Sequence, residues 1–288
     1  MTITQKRMGL KLSIADKNQF SENTLNRLIQ LFETSGEVIK DNRNVIKKLD
    51  FEGANLVVKS FAGMYFFNRL AYSTIRKSKA QRSFEFAIKL KSLSIHTPEP
   101  VGYFDVYKLG LLTKSYYISH YDPVNNLYEI LNQESGHTTI NRQQLINDFA
   151  VFIYQLHSKG IFHDDLSISN VLVYFNQDVI NFSLVDLNRI KFTKITYNER
   201  IKNLSRLSFK YEEDLENFLQ MYASLNHYKK ENLIRELQAY SARVSYLRNL
   251  RKKIKYYTLT KVKNLFNKLV IQKIQNLKDA RKLCKSRF

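Results

Sequence analysis

The chain has 288 residues, 44% of them hydrophobic, with 46 Lys and Arg against 26 Asp and Glu and a net charge of +20. That length and apolar content allow one large domain or two lobes with a real core, and exclude a disordered chain. The basic surplus favours anionic partners such as nucleotide, phosphorylated glycan, anionic lipid or nucleic acid, while a lone cysteine, Cys284, excludes an intrachain disulfide and suits a reducing compartment.

Met1 to Lys17 lacks the continuous apolar core of a secretory signal. Elsewhere the best apolar run, Phe149 to Tyr154, is far too short to span a bilayer. Residues 1–35 read as a polar, partly helical extension, with Leu25, Leu28, Ile29 and Phe32 at helical spacing. Three short strands follow, Glu37 to Asp41, Asn44 to Phe51 and Ala54 to Phe61, with turn chemistry at Asn42-Arg43 and Glu52-Gly53. Lys59 lies inside the third, apolar strand. It is either an edge lysine facing water or a lysine that grips nucleotide phosphates.

The phosphate reading requires an acidic partner on the next helix. Ser78 to Ser92 has helical periodicity and a single acid, Glu85, so an ion pair Lys59–Glu85 is expected. Thr97-Pro98-Glu99-Pro100 forces an extended entry into the strand Val101 to Tyr107, and Leu111 to Ser119 is the next strand. Ser119-His120-Tyr121-Asp122-Pro123 reads as a hinge whose backbone at Ser119 and Tyr121 could meet an adenine edge. A short helix starts at Leu127 to Leu131, and Gln143 to Lys159 is a long one that Gly160 closes.

The stretch that carries chemistry follows directly. His163-Asp164-Asp165-Leu166-Ser167-Ile168-Ser169-Asn170 has the form His-x-Asp-Leu-x-x-x-Asn and leads into an apolar strand. A second strand ends in Val185-Asp186. Phosphoryl transfer from ATP needs such a set: one carboxylate for the proton of the attacking hydroxyl, and an amide oxygen with a second carboxylate for Mg²⁺. Asp165 takes the first role, and Asn170 and Asp186 the second. His163 reads as a packed structural histidine. Two strands and a tight turn fit between Asn170 and Asp186 and would return Asp186 to the same edge. Helices are expected around Asn198 to Leu207 and Glu212 to Leu225.

Leu247 to Phe288 carries fourteen Lys and Arg against one acid, Asp279, on an amphipathic helical pattern. Such a helix either packs on the second lobe with a solvated basic face or docks on an anionic membrane surface. No nucleic-acid motif accompanies it, so no specific nucleic-acid partner is expected.

The order Lys59, Glu85, Asp165, Asn170, Asp186 resembles that of the protein-kinase-like fold. Arg76-Lys77-Ser78-Lys79-Ala80, Thr97-Pro98-Glu99-Pro100, the 163–170 loop and Val185-Asp186-Leu187-Asn188-Arg189 are similar to stretches of the bacterial lipopolysaccharide core kinases, the heptose and Kdo kinases. The resemblance covers roughly Glu37 to Leu207. It implies an α+β, two-lobed fold: a small N-lobe with an antiparallel sheet and one helix over 36–119, a mainly helical C-lobe over 120–245, and a basic C-terminal helix over 246–288. It further implies an ATP- and Mg²⁺-dependent sugar kinase at the cytoplasmic face of the inner membrane, acting on an anionic glycolipid acceptor. Arg76, Lys79, Arg82 and Arg189 are acceptor-side candidates. The chain departs from protein kinases in lacking a Gly-x-Gly-x-x-Gly before Lys59, so Asp41 to Asn44, with Arg43, would cover the phosphates. No Ala-Pro-Glu follows Asp186. An atypical (RIO-like) protein kinase and a pseudokinase binding module are the alternatives.

Overall fold

The computed structural model describes residues 3–7 (backbone only), 10–15, 20–42, 44–61, 76–132, 141–176 and 179–253. Contacts divide the chain into two units, Met1–Leu233 and Ile234–Phe288. That division falls before the 245/246 boundary expected from the basic composition. Residues 234–253 of the second unit are helical; the remainder of the expected basic helix lies outside the described residues.

The first unit begins with a seven-stranded antiparallel sheet in the order β1-β2-β6-β7-β5-β4-β3. Its strands are β1 (Ile3–Arg7), β2 (Leu10–Ile14), β3 (Glu37–Asp41), β4 (Val45–Phe51), β5 (Ala54–Ser60), β6 (Pro100–Lys108) and β7 (Leu111–His120). β1 and β2 occur where a polar, partly helical extension is expected. Leu10, Leu12 and Ile14 alternate with Lys11 and Ser13, the period of a half-buried strand, and Leu12 and Ile14 are buried. Helix α1 (Glu22–Thr34) is capped by Ser21, whose Oγ accepts from Thr24 N. Its predicted stripe of Leu25, Leu28, Ile29 and Phe32 is buried in one core with Leu49, Leu56, Val58, Phe104 and Ile118 of the sheet. β2 and α1 are thus part of the sheet half. At the far edge, every residue of β3 is exposed; Glu37, Lys40 and Asp41 place charges along it, which discourages edge pairing.

Helix α2 (Lys79–Ser92) buries Ala80 and Phe84 against Phe61, Tyr103 and Tyr117. The sheet therefore carries α2, the one helix expected within 36–119, and α1 from the N-terminal extension. α2 also packs on the turn Leu187–Arg189, and Phe86 meets Phe192 edge-on at 5.4 Å. The sheet and the Leu187–Arg189 turn consequently share one helix.

The second half holds α3 (Leu127–Asn132), α4 (Arg142–Ser158), α5 (Tyr197–Leu204) and α6 (Glu212–Leu225), with two small antiparallel ladders. One pairs β9 (Val171–Asn176) with β10 (Val179–Leu184); the other pairs β8 (Ile161–His163) with β11 (Ile190–Phe192). Phe149, Phe152, Phe182, Phe209, Phe218 and Tyr222 form an aromatic core between α4, α6 and β10. Arg142 grips the buried Asp214 carboxylate with two hydrogen bonds of 2.8 and 2.6 Å, fixing the start of α4 to α6. Behind the site, Thr97 Oγ1 donates to Leu184 O at 2.8 Å and Leu184 N to His96 O at 3.0 Å.

Candidate active site

Gly160 ends α4 at φ +71°, and a Cβ there would lie 2.7 Å from Thr193 O. A side chain would therefore be strained twice over, by the backbone and by the neighbour. Thr193 N donates to Gly160 O at 2.8 Å, so β8 and β11 leave this turn in register, with His163 opposite Ile190. The catalytic loop thus leaves the His163–Ile190 end of a short ladder, beside the Leu187–Arg189 turn.

His163 is buried and neutral in character: burial lowers its pKa despite the neighbouring acids Asp186 and Asp165. Its Nε2 lies 3.3 Å from Val185 O, and Nδ1 accepts from Asp165 N at 3.2 Å. This is the packed, loop-bonding histidine the sequence implies. Asn170 closes the other end of the loop. Its Nδ2 donates to Asp165 O at 3.0 Å, which leaves Oδ1 as the group able to face a cation. Val185 N donates to Asn170 O at 3.0 Å and brings Asp186 beside Asn170, as the two-strand return predicts.

Asp186 adopts the left-handed conformation, φ 58°, ψ 49°, immediately before the turn Leu187–Arg189. Such a backbone costs energy in a non-glycine residue and is held here by its surroundings. Asp186 Oδ1 accepts from Asn188 Nδ2 at 2.5 Å and from Lys59 Nζ at 2.7 Å. Burial pushes its carboxyl up, but the Lys59 ammonium, aided by the charge of Arg189, outweighs that and holds it below the usual carboxylate value.

The Lys59–Glu85 ion pair expected from sequence is not formed. Side chains on a helix lean towards its N-terminus, and Glu85 does so, accepting from Lys77 Nζ at 2.7 Å and Gln81 Nε2 at 2.9 Å. Lys59 reaches across the cleft to Asp186 instead. Arg189 Nη1 lies 3.3 Å from Asp165 Oδ2. Among the acceptor-side candidates only Arg189 has a described contact with the catalytic loop. Arg76, Lys79 and Arg82 sit at the start of α2, with Lys79 Nζ 5.9 Å from the Phe61 ring centroid. At the hinge, Ser119 is buried, and Tyr121 N is committed to Asn55 O at 2.9 Å and His120 N to Glu99 O at 2.9 Å. Both amides are thereby withdrawn from any adenine contact. Arg43 lies outside the described residues.

Two sets of residues escape a reading of the sequence alone. The first lies beneath the loop. Arg200 Nη1 donates to Tyr222 Oη (3.0 Å), Tyr222 Oη to His157 Nδ1 (2.6 Å), His157 Nε2 to Asn203 Oδ1 (2.9 Å), and Asn203 Nδ2 to His163 O (2.7 Å). The carbonyl His163 O can only accept, so Asn203 donates through Nδ2 and accepts through Oδ1, His157 donates from Nε2, and the neutral ring takes the Tyr222 hydroxyl at Nδ1. Burial drives His157 down to about 4, which keeps it the neutral link this chain of bonds requires. The second set surrounds Asp164: Arg206, Lys202 and Lys191 approach its carboxylate at 3.1, 3.3 and 4.0 Å. Lys202 and Arg206 stand four residues apart, a spacing visible in the sequence; the partners of His157 are not visible there.

Residues 43–222 match the model of the lipopolysaccharide kinase (Kdo/WaaP) family. The chain belongs to that family. Among solved structures, one titled "WaaP in complex with acyl carrier protein" is similar at a TM-score of 0.53 and 17% identity, covering 79% of this chain and 97% of that one. At that identity the likeness is one of fold, and it agrees with the two-lobed kinase-like architecture. A search of the curated proteins gave no match.

Proposed function

We propose that this lipopolysaccharide-kinase-family protein transfers the γ-phosphoryl group of ATP to a sugar hydroxyl of the lipopolysaccharide inner core, at the cytoplasmic face of the inner membrane. The observation that carries the reading is the convergence of Lys59, Asp186, Asn170 and Asp165 where sheet and helical half meet. Asp165 is the group assigned to the acceptor. Its carboxylate accepts the hydroxyl proton as the oxygen bonds to the γ-phosphorus and the bond to the β–γ bridging oxygen breaks, with ADP leaving on that electron pair. Arg189, 3.3 Å from the same carboxylate, keeps it aimed. Lys59, which Asp186 holds at the mouth of the cleft, is assigned to the phosphates.

An oxygen donor set of one carboxylate and one amide suits Mg²⁺, which takes only one or two protein ligands beside phosphate and water. Asp186 and the free Oδ1 of Asn170 supply that set, and among the described residues no larger His, Cys, Asp or Glu cluster competes for a metal. When bound, the ion neutralises phosphate charge and orients the transferring group. The decisive assay supplies labelled ATP with either lipid-linked core glycan or generic protein. Label in the glycan alone is expected; label in protein alone would make this an atypical protein kinase.

For the location, no helix among the described residues is long and apolar enough to cross a membrane. Peripheral docking is the proposed mode. In the second unit, Tyr246, Leu247 and Leu250 are exposed on a helix that also exposes Arg248, Arg251, Lys252 and Lys253. Each basic residue near an anionic surface contributes about 1 kcal/mol, less as salt rises. Salt-sensitive sedimentation with anionic vesicles is expected, lost on Arg251→Glu with Lys252→Glu and Lys253→Glu.

A further inference from the structure

The adjacent carboxylates of Asp164 and Asp165 together receive four cations, and they share them unequally. Asp165 has one, Arg189. Asp164 has three: Lys191 of β11, Lys202 of α5, and Arg206 just beyond it. A staple between the catalytic loop and the segment after Asp186 needs a single ion pair, whereas Asp164 receives three cations. Glu199, whose carboxylate also acts on Lys202 and Lys191, has its Oε2 bonded to the neutral Thr196 N and Oγ1, so three cations face two carboxylate charges and one positive charge stays unmatched.

The fold gathers these charges deliberately close. Lys191 and Lys202 both place their ammonium groups over the ring of buried Phe162, 5.6 and 5.1 Å from its centroid. Phe162 pairs with Lys191 in the β8–β11 ladder, so the position of this lysine is set by the same hydrogen bonds that set the loop. Asp164 N also donates to Arg189 O at 3.1 Å. The cluster is therefore in rigid relation to Asp165. It is also open to solvent, with the Lys191 side chain 60% exposed. Like charges held together beside a reactive carboxylate are unfavourable unless an anion completes them.

We propose that Lys191, Lys202 and Arg206 form an anion-binding subsite that seats a carboxylate or phosphate borne by the acceptor sugar, with Asp164 as the internal anion it displaces. The proposal rests on the sugar-kinase reading above and deepens it. It explains how a sugar hydroxyl could be presented to Asp165 without a peptide-docking segment: a charged substituent of the acceptor is pinned one residue away from the group that takes the proton.

The sign of one substitution separates this from a structural staple. Steady-state kinetics would use ATP and deacylated inner-core glycan, so that no lipid headgroup is present, with inorganic phosphate as competitor. Lys191→Ala and Lys202→Ala should each raise the glycan KM about tenfold or more with the ATP KM within about twofold, and phosphate should stop competing with glycan. Lys191→Arg should restore the wild-type KM. Asp164→Asn should strengthen phosphate inhibition severalfold, because the internal competitor is gone. Unchanged glycan KM in both alanine variants overturns the proposal, as does weaker phosphate inhibition in folded Asp164→Asn. A control outside the cluster, Lys230→Ala, should behave as wild type. Should wild type transfer nothing to glycan, the sugar-kinase reading fails. Calorimetry of inorganic phosphate binding, with the nucleotide site filled by a non-hydrolysable ATP analogue, then decides the subsite separately: phosphate binding lost in Lys191→Ala and Lys202→Ala supports it, and binding equal to wild type overturns it.

Discussion

The sheet half buries Asp105 and the helical half buries His157, and the two are housed in opposite ways. Asp105 accepts from Ser115 Oγ at 2.6 Å and from Ser78, while its Oδ2 has no hydrogen-bond partner among the described residues; burial pushes its carboxyl up to about 6. His157 has both nitrogens bonded, in a relay whose direction is set by the backbone carbonyl of His163 that ends it. An incompletely paired polar group tolerates several arrangements, whereas a fully paired one specifies a single arrangement. The complete network lies under the loop that carries Asp165 and Asn170. The incomplete one lies under the cap of α2, the helix that the sheet shares with the Leu187–Arg189 turn. The helical half thus presents its groups rigidly, and the sheet half brings Lys59 to them across a single ion pair.

The largest effect should come from the rigid side. Asp165→Asn should lower transfer by about 10²–10⁴-fold, the usual loss for a general base, with ATP binding retained because Asp165 faces the acceptor. Near-normal turnover in the purified variant would remove Asp165 from the chemistry. Breaking the relay should cost less. Asn203→Ala leaves the buried His157 Nε2 without a partner, while His163 O keeps Leu166 N, and a buried unpaired group costs about 1–3 kcal/mol. Chemical denaturation should show that loss, and kcat should fall while the ATP KM stays within about twofold. Tyr222→Phe should cost less again, since it removes one hydroxyl and keeps the ring stacked on Phe218.

The bridge between the halves is testable by a double-mutant cycle. Lys59→Met and Asp186→Asn should be strongly non-additive in stability, because each removes the other's partner at 2.7 Å. Lys59→Met and Glu85→Gln should add within about 0.5 kcal/mol, since Glu85 belongs to Lys77 and Gln81. Coupling of Lys59 with Glu85 larger than with Asp186 would reverse the assignment.

This pair also marks how far the sequence could be read. Strand Ala54–Ser60, helix Lys79–Ser92 and the return of Asp186 to Asn170 all follow from periodicity and spacing, which are local. The choice of Asp186 over Glu85 by Lys59 is not local. It depends on which way Glu85 leans along α2 and on the left-handed backbone of Asp186, and a linear pattern records neither. β2 was hidden for a different reason: Lys11 and the buried Ser13 interleave its apolar residues, so the alternation reads as polarity. The Asp164 cluster draws on β8, β11 and α5, and only its Lys202–Arg206 spacing is visible in one dimension. Its meaning required the ladder that sets Phe162 against Lys191.

The smallest expected effect comes from setting Asp105 against His157 directly. Burial lowers the His157 pKa from 6.5 to about 4, so its contribution is fully present above pH 6.5 and is lost as pH falls towards 4. Asp105 is raised from 3.8 to about 6, so its contribution is fully present below pH 3.8 and is lost as pH rises through 6. Each shift corresponds to about 3 kcal/mol over nearly the same window, with opposite sign. Stability of the wild type should therefore change little between pH 4 and 6, tilted upward with pH by His163, whose pKa is also lowered. Removing one member exposes the other. Asp105→Asn should steepen the rise of stability with pH, and His157→Gln should flatten or invert it. Other shifted groups are common to all three proteins and cancel in the differences. Melting temperatures of wild type and both variants across pH 4–7 are the measurement, and three parallel curves would mean that neither group titrates within the folded protein.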